Sequence, residues 1–318
     1  MPFLRLGGAK PDNARQPAIS PVALKGLADP PSRIGSNQEE GPGSGLWTSC
    51  SNPACRSGWI RLWRSRSRPI FEDGWTCSME CTFARLQAAV VRELDMPRSA
   101  RAEHRHRIPL GLLMMEQGWI SRDQLRSALE AQKAAGTGRL GQWLVRQKAT
   151  NEERVAKALG LQWSCPVFSG EHQEPATLAP AIPRLFLDAL GALPLRIAGS
   201  RMLYLGFEQM LDPVLALAVE RMTGLRVEGC IVREAQFRSA HMRMLEARFP
   251  SVELVEAVSP SAAARALTRS TERCRPVASR LVRVHDCLWL RLWLEGQNGP
   301  LPETDSVQDV VCSIGPVA

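Results

Sequence analysis

With 318 residues, 44% of them hydrophobic and 23% charged, the chain is long enough for two or three compact domains and too apolar to be disordered throughout. Its formal net charge of +8 permits contact with phosphates or acidic surfaces without requiring either. No run of about 18 uncharged apolar residues occurs and the opening MPFLRLGGAK has no hydrophobic signal core, so neither a membrane span nor export is expected, and the expected setting is cytoplasmic. In that reducing compartment the nine cysteines read as metal ligands and buried thiols rather than disulfides.

Residues 1–45 are rich in Pro, Gly, Ser and Asn with no sustained apolar period. Such a composition buries too little surface to offset the ordering of its backbone, and a disordered tail is expected. Residues 46–95 form a small module carrying two cysteine pairs. Cys50 and Cys55 are spaced C-x4-C, Cys77 and Cys81 C-x3-C, and the stretch between them, WIRLWRSRSRPIFEDGW, is hairpin-like. The helical pattern of TFARLQAAVVREL puts the second pair at a helix N-terminus, where amide dipoles favour thiolates. This is the spacing of a treble-clef or ribbon zinc site. So short a module supplies little core of its own, and a zinc ion held by Cys50, Cys55, Cys77 and Cys81 would contribute folding energy. Four thiolates close the coordination sphere, so the zinc would be structural; the alternative is four ordinary buried thiols.

Residues 96–106 read as a polar, basic linker, and 107–170 as an all-helical subdomain with apolar positions recurring three and four apart. Over 171–248 the pattern becomes helix, strand, strand, helix, strand, helix, a small α/β subdomain. The last piece, 249–318, opens on an Ala-rich helix, AAARALTRSTERC, and continues as RLVRVHDCLWLRLWLEG, in which apolar and basic residues alternate as in a half-buried hairpin; SVQDVVCSIG is a final strand. The expected class is thus α+β multidomain. Cys165, Cys230, Cys274, Cys287 and Cys312 lie singly in apolar segments and are expected in cores.

The most informative feature is an internal repeat. PLGLLMMEQGWISRDQLRSALEAQ, residues 109–132, aligns without a gap on RLGQWLVRQKATNEERVAKALGLQ, residues 139–162. Each copy reads as a helix, a turn and a second helix, started by Ser121 in the first and by Thr150 or Asn151 in the second. The shared pattern of LG, apolar pairs and a closing Gln resembles the tandem motif of the N-terminal domain of type II secretion and type IV pilus assembly ATPases, the MshEN or GspE N-terminal type. The resemblance covers roughly residues 107–246.

In that family the paired motifs bind cyclic di-GMP. The resemblance therefore implies ligand contacts from Leu110, Gly111, Gly118 and Gln132 in the first copy and from Arg139, Leu140, Gly141 and Gln162 in the second. The chemistry suits these residue types, because a guanidinium stacks on guanine and donates to O6 and N7, and glycine lets backbone amides approach phosphate closely. Two positions depart from the pattern: Pro109 stands where the motif has arginine, and Lys148 where it has glycine. Losing one guanine-binding arginine removes about 1.5–3 kcal/mol of charge-assisted hydrogen bonding. Arg107 is a neighbouring substitute.

The chain carries no G-x-x-x-x-G-K-[ST] phosphate loop, and GTGRLG, residues 136–141, lacks the lysine. A non-catalytic regulatory or docking protein is expected, with a secretion or pilus assembly protein as partner and no membrane insertion. A rival reading is nucleic-acid binding through RSGWIRLWRSRSR, residues 56–68, where arginine interleaves with tryptophan. Another is a protein–protein adaptor that has lost nucleotide binding.

Overall fold

The computed structural model describes residues 50–55, 68–96, 108–169, 173–199, 201–207 and 212–315. The expected disordered tail, most of the 96–106 linker, Arg107 and the Arg/Trp stretch 56–67 lie outside the described residues. The architecture is mixed α and β.

The cysteine segment contributes β1 (Ile70–Phe71), β2 (Gly74–Trp75) and α1 (Met79–Asp95). Glu72 and Asp73 join the two strands with φ of 46° and 59°, the two left-handed residues of a tight hairpin turn whose twist matches the strands. Four helices follow: α2 (Leu110–Glu116), α3 (Arg122–Ala135), α4 (Leu140–Arg146) and α5 (Glu152–Trp163). Ser121 starts α3 with a reciprocal capping box to Gln124, and Asn151, rather than Thr150, caps α5.

The next segment runs α6 (Pro175–Leu178), α7 (Arg184–Leu190), β3 (Ala192–Ala198), β4 (Met202–Phe207), α8 (Pro213–Thr223), β5 (Arg226–Ile231) and α9 (Glu234–Leu245). Its sheet has the order β3-β4-β5, with β3–β4 antiparallel and β4–β5 parallel across the α8 connection. Val167, just after the second repeat, bridges to Ile231 and so extends this sheet beyond β5.

The C-terminal segment begins with a strand, β6 (Ser251–Ala257), which the sequence reading did not contain, and then gives α10 (Pro260–Cys274), β7 (Ala278–Val284), β8 (Cys287–Trp293) and β9 (Val307–Ile314). The sheet order is β6-β9-β8-β7, with β6 parallel to β9 and the other pairs antiparallel. Helices α1 and α10 cover one face of this sheet: Leu86, Ala89 and Val90 of α1 share a core with Ala263, Ala264 and Leu267 of α10 and with Leu281, Leu290 and Val310. The cysteine segment and the C-terminal segment are therefore packed on each other, although about 160 residues of chain lie between them.

The hairpin is not half-exposed as its alternation implies. Every residue of β8 after Cys287 is buried, and Arg291 has no exposed surface. The opposite face of the sheet meets α7, where Phe186 packs edge-on to Trp289 with ring centroids 5.9 Å apart. Arg291 is accommodated there by Asp309, which accepts from Nε and Nη2 at 2.8 Å each and from Trp289 Nε1 at 2.8 Å. A buried charge needs such a partner, so the basic residue marks a buried ion pair rather than a solvated face.

Among the five single cysteines, Cys230 and Cys312 are buried and Cys165, Cys274 and Cys287 are half-buried. Burial pushes the Cys230 thiol up to about 12 and that of Cys312 to about 11. Among the described residues no helix is long and apolar enough to cross a membrane.

Candidate functional site

The tandem repeat folds with an internal near-symmetry. Helices α2 and α4 both end in the same turn: Gly118 N–H donates to Met115 O and Trp119 N–H to Met114 O, and thirty residues on Lys148 N–H donates to Val145 O and Ala149 N–H to Leu144 O. This paired bonding is a Schellman ending, which requires a left-handed residue. Gly118 supplies it with φ of 67°, and Lys148 adopts it at 55° despite its side chain.

The two LG pairs are packed against each other. A Cβ on Gly111 would lie 2.5 Å from Leu125 Cδ1 and 3.2 Å from Leu140 Cδ2; one on Gly141 would lie 2.7 Å from Val155 Cγ1 and 3.9 Å from Leu110 Cδ2. Both glycines are thus needed for close helix approach, and Leu110, Gly111, Leu140 and Gly141 meet where α2 and α4 begin. Met114, Leu144, Ala128 and Ala158 fill the core beneath them.

The two glutamines act reciprocally. Gln132 Nε2 donates to Gly138 O at 2.8 Å, and Gln162 Nε2 donates to Ile108 O at 2.8 Å. Each side chain, at the end of the second helix of a repeat, holds the backbone just ahead of an LG pair, Gln132 in the second copy and Gln162 in the first. Arg139 is the residue ahead of α4; its N–H is accepted by Gln142 Oε1 at 3.1 Å, and Gln142 in turn donates to Glu234 of α9 at 2.7 Å. Gly118 stands at the far end of α2, with open space where a Cβ would project.

The second constellation is the cysteine cluster. The sulfurs of Cys50, Cys55, Cys77 and Cys81 lie within 4.8 Å of one another, with Cys55–Cys77 and Cys77–Cys81 both at 3.6 Å. A tetrahedral zinc with bonds of about 2.3 Å sets sulfurs about 3.8 Å apart, so the donor set fits that ion. Cys55 N–H donates to Asn52 O in a tight turn, and Ser51 N–H donates to Trp75 O, tying the first knuckle to β2. That approach depends on Gly74, whose Cβ would lie 2.6 Å from Ser51. Ser78 caps α1 by accepting from Cys81 N–H at 3.3 Å and so fixes the second pair. Desolvation by burial, the largest cause, pushes the Cys50 thiol up to about 12 and raises that of Cys81.

Two features of this cluster escaped the sequence reading. Asn52 Nδ2 donates to Cys81 Sγ at 3.3 Å, a bond to the sulfur that favours its thiolate; an amide two residues after the first cysteine is the signal that could have found it. Behind the knuckles, Arg68 binds Glu272 of α10 through both nitrogens at 2.9 and 2.8 Å, and Thr82 Oγ1 donates to the same carboxylate at 2.6 Å. Thr76 and Thr82 share a further hydrogen bond at 2.8 Å, so the base of the cluster is anchored to the C-terminal segment.

No protein-family model matches the chain. The type IV pilus assembly ATPase PilB of Myxococcus xanthus (strain DK1622) is 28% identical over 148 residues, which are 45% of this chain and 25% of PilB. The chain thus spans about a quarter of the length of that curated relative. Among solved structures, MshE with cdg is 28% identical and matches 43% of this chain and 99% of its own, with a TM-score of 0.34. The N-terminal domain of XpsE is 17% identical over 42% of this chain and 92% of its own, with a TM-score of 0.31. Taken with the repeat, the PilB likeness leads to one conclusion: over a little under half of its length the chain resembles the N-terminal domain of type II secretion and type IV pilus assembly ATPases.

Proposed function

We propose that this is a non-catalytic regulatory or docking protein of a secretion or pilus system, acting from the cytoplasm, whose tandem repeat binds cyclic di-GMP. The observation that carries the reading is the meeting of the two LG pairs, each braced from the other repeat by Gln132 or Gln162. Leu110, Gly111, Leu140 and Gly141 then offer the first-turn amides of two helices to phosphate oxygens, while Arg139 recognises a guanine. Gly118 leaves room for a base at the turn after α2.

In this reading the zinc is structural. Cys50, Cys55, Cys77 and Cys81 hold it, and it locks the knuckles onto α1, which carries the C-terminal sheet. The expected subdomain boundaries at 95, 106, 170 and 248 are part of the same proposal.

The test is capture of radiolabelled cyclic di-GMP by the purified full chain, with unlabelled cyclic di-GMP and GTP as competitors. Retained label displaced by cyclic di-GMP and not by GTP supports the reading. No retention by folded, zinc-loaded protein removes the second messenger and leaves a docking adaptor whose partner is then sought by cross-linking.

A further inference from the structure

Strand β6 ends the C-terminal sheet, and its two edges differ. Gly315 N–H donates to Ala257 O at 3.0 Å, so the peptide groups of Ala257, and by alternation those of Val255 and Glu253, turn toward β9. Those of Val252, Leu254 and Glu256 turn outward, and among the described residues no strand pairs with them. The opposite end of the sheet is shielded. There Ile70 N–H donates to Pro276 O, Glu72 N–H to Ser279 O, and Ser279 Oγ to Ile70 O, so β1 lies along β7.

Exposed sheet edges are normally blunted by charged side chains, proline or a bulge; the β6 sequence SVELVEA has neither lysine nor proline and pairs with β9 in unbroken register, and of its two carboxylates Glu253 is paired by Arg273, leaving Glu256 as the exposed charge. Its side chains divide cleanly. Glu253 accepts from Ser270 Oγ at 2.9 Å and pairs with Arg273, placing it with Val255 and Ala257 on the α10 face. Leu254, on the other face, is 71% exposed.

We propose that β6 pairs antiparallel with β6 of a second copy of this chain, centred on Leu254, to make one continuous sheet across a two-fold axis. The strand matches itself in phase, and one register puts no like charges directly opposite each other. Pairing about Leu254 puts the outward peptide groups of Val252, Leu254 and Glu256 in the hydrogen-bonded positions. It sets leucine on leucine at the axis, Val252 opposite Glu256, and Glu253 opposite Val255. Of the two neighbouring registers in phase, the one centred on Glu256 would set two carboxylates directly opposite each other, which is unfavourable, and the one centred on Val252 would set Pro250, which has no N–H to donate, opposite Leu254. The diagonal approach of the two Glu253 side chains in the favoured register is met by Arg273 on each copy. A closed two-fold contact of this kind uses the same patch on both partners.

Sedimentation velocity on the full chain tests this, with Leu254→Lys, Leu254→Pro and Leu254→Cys. The unsubstituted chain is expected to form dimers as concentration rises to ~100 µM. Leu254→Lys places two ammonium groups on the axis, and Leu254→Pro removes an outward donor while leaving the bonds to β9, so each is expected to raise the dimer Kd about tenfold or more with unchanged far-UV dichroism. Leu254→Cys is expected to cross-link to itself under mild oxidation, a link located by peptide mass spectrometry. A monomer throughout that range, a dimer that survives both Lys and Pro, or a Leu254→Cys chain that never links to its own copy overturns the proposal. If the proline variant unfolds, the lysine variant at this exposed position decides.

Discussion

Arg221 on α8 grips Glu93 on α1 with both arms of its guanidinium, Nη1 to Oε2 at 2.8 Å and Nη2 to Oε1 at 2.6 Å, and Glu93 has no exposed surface. The pair fastens the helix of the cysteine segment to the α/β segment. Truncating Arg221 leaves a buried carboxylate with Arg92 alone at 3.3 Å, whereas truncating Glu93 leaves a guanidinium that is 26% exposed and can turn to water. Arg221→Ala is therefore expected to cost about 2–4 kcal/mol in urea denaturation and Glu93→Ala less, with the double variant less unstable than the sum of the two. Additive losses would show that the pair is not coupled.

The two LG glycines make a second prediction. Because a Cβ at Gly141 meets Cγ1 of the stiff Val155 at 2.7 Å, Gly141→Ala is expected to lose about 1–3 kcal/mol by overpacking; Gly111→Ala, whose Cβ meets the movable end of Leu125 at 2.5 Å, is expected to lose less. Gly111→Ala combined with Leu125→Ala should recover part of the loss due to overpacking. Equilibrium unfolding of the single and double variants measures it.

What was legible in the sequence was local. The thirty-residue offset of the repeat, the Ser121 cap and the two cysteine spacings are patterns within a few turns of chain, and each places residues the structure brings together. Strand β6 was missed because Glu253 and Glu256, one on each face, mask its alternation, and Arg291 was misread as solvent-facing because its partner Asp309 lies on another strand. Contacts such as Arg68 with Glu272 and Glu93 with Arg221 join residues 204 and 128 apart, and no local periodicity encodes them. The packing of the cysteine segment on the C-terminal sheet belongs to the same class.

Lys148 occupies a left-handed position that its counterpart fills with Gly118. Lys148→Gly is expected to stabilise the chain by about 0.5–1 kcal/mol, since the strain relieved exceeds the added freedom of the unfolded chain. An unchanged or lowered midpoint in chemical denaturation would contradict the strain.

Metal binding should depend on pH with a definite sign. Burial pushes the Cys50 thiol up to about 12 and raises Cys81, so without metal these groups are protonated at neutral pH and zinc must displace their protons. Affinity is expected to rise with pH and to fall in acid, with protons released on binding, measured by zinc titration in buffers of differing ionisation heat. Chelation should lower the unfolding temperature, and Cys77→Ser should do the same while abolishing the stoichiometric ion. Stability indifferent to chelator would contradict a structural zinc.

The proposed binding of cyclic di-GMP by the paired repeat is measured by calorimetry on the purified chain, with Arg139→Ala and GTP in parallel. The expected outcome is micromolar or tighter binding of cyclic di-GMP, lost in Arg139→Ala and not seen with GTP, despite Pro109 and Lys148. No binding by folded, zinc-loaded protein, or binding that Arg139→Ala leaves unchanged, would contradict it.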